Sequence, residues 1–106
     1  MKLIDKDGWD KCVQNNQDIY GLAVVQFAER WADLMEQEID KGAKLADIAE
    51  ETSHDADTEG ITGFMYGCAV NILANVWEYG EELRRWHNKE YDYDGGGVVN
   101  PAILCW

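Results

Sequence analysis

Carboxylates are the groups with which this chain could do chemistry. Glu29, Asp33, Glu36 and Asp40 recur at helical spacing in one segment, and Glu78, Glu81 and Glu82 cluster in another. Two such segments facing each other can hold Mg2+, which polarises a phosphate and activates water, so a Mg-dependent all-α nucleotide pyrophosphohydrolase is one reading. The periodicity of the neighbouring apolar residues turns these acids outward, however, and no cluster of Lys and Arg is present to hold a triphosphate. A solvated acidic helix face is the simpler account.

Other constellations are weaker. Asp55, Asp57, Glu59 and Gly60 match the opening of a calcium loop, but Tyr66 stands where the bidentate Glu belongs. Asp92 and Asp94 imitate the same opening, and Pro101 falls at its closing position. Glu51 and His54 have the carboxylate–imidazole spacing of a di-iron bundle, yet His87, the only other histidine, has no Glu three residues before it. It reads instead as a capping or surface residue near a helix C-terminus. Gly95 to Gly97 lack the Lys and helix of a phosphate loop, and no Ser, His and Asp set has supporting context. These residues assign no cofactor, no metal and no catalytic group.

Charge is the outlier in the composition. The 106 residues carry 21 Asp and Glu against 9 Lys and Arg, a net charge of −12. That field repels nucleic acid and anionic membrane and attracts basic protein surfaces. Between Lys44 and Arg84 the charged residues other than His54 are all acids: Asp47, Glu50, Glu51, Asp55, Asp57, Glu59, Glu78, Glu81 and Glu82. Carboxylates spaced along a helix and loop can take the places of phosphates before a basic groove. Tyr91 and Tyr93, set among Glu90, Asp92 and Asp94, supply aromatic anchors for such a contact. The partner this pattern suggests is a protein with a basic, nucleic-acid-binding surface, whereas direct contact with nucleic acid is disfavoured.

The elements that would carry these groups are helical. Apolar residues from Ile61 to Trp77 occupy nearly every direction of a helical wheel, which demands burial. That stretch is short for a membrane span and holds Asn71 and Asn75. Tyr20, Ala23, Val24, Phe27, Trp31, Leu34, Met35 and Ile39 define an amphipathic helix from Ile19 of roughly 22 residues, about 33 Å long, that is expected to stop at Gly42. Glu36 belongs to its outward row. Before it, Leu3 and Ile4 lie extended against the core and Asp7 caps a short helix carrying Trp9, Cys12 and Val13. Asn15 to Asp18 either restart the helix with a new cap or bend through it. After it comes a helix from Leu45 to about Thr52 and a polar loop from Ser53 to Glu59. The central helix runs on past Trp77 through Leu83 and Trp86, with a bend or close crossing at Gly80, and the tail from Glu90 loses the helical period. The expectation is a single all-α domain over residues 1–106, a three- to four-helix bundle with an extended C-terminal tail, whose core rests on Trp9, Phe27, Trp31, Phe64 and Trp77.

Cys12, Cys68 and Cys105 are widely spaced and fit reduced, buried thiols, and the N-terminal residues have no signal-peptide core, both pointing to a cytoplasmic protein. The run from Gly63 to Asn88, GFMYGCAVNILANVWEYGEELRRWHN, with GGGVVNPAIL from Gly95 to Leu104, resembles a family of small uncharacterised proteins encoded by phages and prophages. The resemblance implies an accessory phage protein acting in the cytoplasm of a bacterial host. Together with the acid pattern it suggests a non-enzymatic inhibitor that blocks a host nucleic-acid-binding defence protein, a CRISPR nuclease complex being one instance. The hydrolase is the alternative. A structural or regulatory homodimer, whose charge serves solubility alone, is a third reading.

Overall fold

The computed structural model describes residues 1–57 and 63–90, with the backbone alone for 53–57, 63–65 and 90. Among them five helices follow in order: α1 Lys6–Asn15, α2 Ile19–Asp40, α3 Leu45–Asp57, α4 Gly63–Val76 and α5 Gly80–Glu90. The architecture is all-α, as the sequence predicts.

Capping chemistry sets the first two helices. An N-cap carboxylate must reach the amide three residues on, and Asp5 does so: its Oδ1 accepts from the Gly8 amide at 2.8 Å. Asp7, expected as the cap, lies in the first turn instead. The interruption at Asn15 to Asp18 is a stop followed by a fresh start. Asn16 Nδ2 donates to the Cys12 carbonyl at 2.8 Å, and Asp18 Oδ1 accepts from the Gly21 amide at 2.7 Å. At the far end of α2, Gly42 adopts φ +101°, a left-handed conformation that other residues adopt at a cost.

Helix α4 is the centre. Cys68, Ala69, Val70, Ile72, Leu73 and Val76 are buried, and α1, α2 and α5 all pack on it. Trp9, Phe27, Trp31 and Trp77 join the core as expected, whereas the Phe64 side chain lies outside the described residues. Phe27 stacks on Trp31 with ring centroids 5.6 Å apart, and Tyr66 of α4 closes against Trp31 at 5.0 Å.

The long helix expected across Trp77 is broken. The N-terminal segment pairs with the chain at this point: Leu3 forms an antiparallel bridge with Trp77, the Ile4 amide donates to the Val76 carbonyl, and the Glu78 amide donates to the Lys2 carbonyl. Alternation along that extended segment buries part of Leu3 and leaves Ile4 65 % exposed, so only one of the two expected residues docks. After Tyr79 the chain folds back so tightly that a Cβ on Gly80 would sit 1.9 Å from the Leu73 carbonyl oxygen. No side chain fits there. Helix α5 then runs back along α4, which brings His87 to within 5.2 Å of the Tyr66 ring centroid. His87 is therefore buried, not at the surface, and burial pushes its imidazole down to about 4.

Helix α3 extends to Asp57, beyond the boundary expected at Thr52. Residues 53–57 contain no Gly or Pro to stop it. Leu45, Ile48 and Ala49 are buried, and the helix packs on α2 and α5. Thr52 is buried too. Its hydroxyl accepts from Trp31 Nε1 at 3.0 Å and donates to the Ile48 carbonyl at 2.7 Å.

Candidate functional site

The acids divide by what they touch. On α2, Glu36 overturns the expectation of an outward acid: it is 8 % exposed, and one carboxylate oxygen accepts from Trp77 Nε1 at 2.7 Å and from the Lys2 amide at 2.8 Å. The Met1 amino group lies 3.8 Å from the same oxygen and pairs with Asp33 at 2.8 Å. The hydrogen bond to Asp33 raises the pKa of that amine. Asp40 pairs with Lys2 Nζ at 3.3 Å and raises the pKa of the lysine in turn. Asp33, Glu36 and Asp40 of α2 thus fasten the N-terminal segment.

On α3, Asp47, Glu50 and Glu51 are exposed, carried outward because Leu45, Ile48 and Ala49 take the inward face. Glu51 shares a groove between α2 and α3 with Leu34, Gln37 and Glu38. Two carboxylates, Glu38 and Glu51, therefore stand along one cleft. The α3 backbone carries Asp55 and Asp57, while Glu59, Tyr91 and Tyr93 lie outside the described residues.

At the start of α5, Glu78, Glu81 and Glu82 are exposed. They are not equivalent. Glu81 accepts from Arg84 and lies 3.6 Å from Arg85 Nε, and the hydrogen bond from Arg84 holds its carboxyl below the usual range. Glu82 lines a shallow groove between α3 and α5 with Ala46, Arg85, Trp86 and Lys89. Among the described residues, Glu82 of α5 shares this groove with Ala46 of α3, the residue before the exposed Asp47.

This arrangement gives the hydrolase reading little to work with. Glu36 and Asp33 are engaged by the N-terminal segment and Glu81 by arginines. Among the described residues no group of three or more His, Cys, Asp and Glu is disposed to hold a metal ion, and no helix is long and apolar enough to cross a membrane. What the surface offers is helices presenting carboxylates, a surface suited to protein contact.

A family model matches residues 1–105, and its description is type I Thoeris inhibitor, Tad4. The chain belongs to the Tad4 family. It is a phage anti-defence inhibitor, and the system in the family's description is Thoeris, a different defence from the CRISPR instance suggested by the acid pattern. No curated protein and no solved structure matches the chain.

The Tad4 family match covers residues 1–105 and singles out no surface, so both faces of α2 belong to the question of where a partner sits. The sequence reading missed one feature there. Tyr20, expected on the inward stripe, is 50 % exposed, and Ile19, expected to open the helix, and Leu22 are 92 % and 37 % exposed. The signal was available in the wheel: at 100° per residue Ile19 and Leu22 fall opposite Val24, Ala28 and Trp31.

Proposed function

We propose that this chain inhibits type I Thoeris without catalysis, by binding a protein component of that system inside the host cell and covering a basic surface on it. The observation that carries the inhibitory role is the Tad4 family match over residues 1–105. The chemistry of the contact is argued from charge. A net charge of −12 steers a basic partner toward the molecule, and Asp47, Glu50, Glu51, Glu78 and Glu82 are exposed to meet it. Glu81 contributes less, since Arg84 and Arg85 offset it. Asp55, Asp57, Glu59, Tyr91 and Tyr93 complete the proposed contact set from the sequence. The family description names a defence system, so the basic surface enters this proposal as a charge complement alone.

Purified chain mixed with purified type I Thoeris proteins tests this by size-exclusion chromatography at low and high salt. A complex that forms at low salt and weakens as salt rises is expected, because exposed ion pairs are screened beyond about 10 Å at 0.1 M. Absence of a complex with every component, alongside retained inhibition in cells, overturns the proposal.

A further inference from the structure

Three of the four large apolar side chains most exposed among the described residues fall within one turn, at the start of α2: Ile19, Tyr20 and Leu22. Their placement is not an accident of a frayed end. Asp18 caps the helix through the Gly21 amide, and Gly21, Val24 and Val25 are buried on the opposite side. Core packing therefore fixes the rotation of α2, and that rotation drives Ile19 and Leu22 outward. The outward row continues through Gln26, Glu29 and Arg30 to Asp33 and Gln37, so the apolar turn leads directly into a polar stripe that includes carboxylates.

An apolar centre beside a charged border is the composition of a protein contact. Ile at an exposed helix position contributes nothing to helix propensity that Glu, Lys or Ala would not exceed. The exposed turn thus has no explanation in the stability of α2 itself. Two kinds of occupant compete: a second copy of this chain and a different protein. A second copy brings the same charge of −12 to the contact and is repelled. A partner with a basic rim around an apolar pocket is attracted.

We infer that Ile19 and Leu22, flanked by Tyr20, form the apolar anchor by which the chain seats on its Thoeris target, with Glu29 on the same outward row of α2 facing that target's basic rim. The inference rests on the proposed function and adds to it a second contact, distinct from the acids of α3 and α5. Steering belongs to the charges, and residence on the target to the anchor.

The test compares Ile19→Ser/Leu22→Ser with Glu50→Gln/Glu51→Gln, measuring affinity for purified type I Thoeris proteins, melting temperature and sedimentation. The anchor account expects the serine pair to weaken binding by about tenfold or more, chiefly through faster dissociation. Its melting temperature should stay within about 8 °C of the parent, because Ile19 is 92 % exposed and only the covered part of Leu22, which is 37 % exposed, loses packing in the free chain. The parent should sediment as a monomer. Serine variants that bind like the parent while the glutamine pair binds more weakly overturn the anchor and leave the proposed function standing. A large drop in melting temperature overturns it by making another part of this chain the occupant, and self-association lost in the serine pair overturns it in favour of a second copy. If the parent itself binds no Thoeris protein, the anchor and the proposed function fail together.

Discussion

The two sides of α2 reverse the usual arrangement of residue types. Inside, Glu36 is closed off by an indole and a backbone amide, while outside Ile19 stands almost fully in water. A buried carboxylate that accepts from an indole and a backbone amide holds the fold together, since removing either partner strands a buried polar group. An exposed isoleucine holds nothing in the isolated chain. The contrast separates two roles that the count of acids alone confuses: carboxylates that fasten the N-terminal segment, and surface groups exposed to another molecule.

The largest expected effect lies on the inner side. Glu36→Leu strands Trp77 Nε1 and the Lys2 amide and should cost about 3 kcal/mol in urea denaturation. A cost below about 1 kcal/mol, the size of an ordinary net hydrogen bond, would break the contrast. The parent should also lose stability in acid through His87. Its imidazole takes a proton near pH 6.5 when unfolded and near 4 when folded. Between those values the unfolded chain holds more protons, so stability is intact above pH 6.5 and falls as pH drops toward 4, by up to about 3 kcal/mol. His87→Phe should flatten that part of the profile, leaving the slope due to carboxylates.

Smaller effects follow toward the surface. Trp31→Phe removes the indole donor to Thr52 and should cost about 1–2 kcal/mol, lost packing included, measured the same way. Smallest of all, Glu50→Gln/Glu51→Gln should leave stability within about 0.5 kcal/mol of the parent while reducing the salt dependence of partner binding. A destabilised variant there would move those acids to the structural side of the comparison.

Much of this was legible from residue patterns. The burial of α4, the extent of α2 and the stop at Gly42 all follow from helical period and glycine, which are local properties. The break at Trp77 was legible only as the bend or close crossing expected at Gly80; that the helix stops there depends on Leu3 pairing with a residue far along the chain, which no local signal announces. Glu36 and His87 were misplaced for the same reason. Glu36 is buried by Trp77 and the N-terminal segment, and His87 by Tyr66 across the return of α5, contacts that only the fold creates. The exposure of Asp47, Glu50, Glu51, Glu78, Glu81 and Glu82 was readable from their periodicity. Arg84 and Arg85 follow Glu81 at helical spacing, so the neutralisation of that one acid was readable as well.

The central claim is inhibition by occupancy, and titration tests it most directly. Thoeris activity of a purified system, at a fixed target concentration well above the dissociation constant, should fall in proportion to added chain and reach its floor near stoichiometric equivalence. Full inhibition by a trace of chain, growing with incubation time, would show turnover and contradict the account.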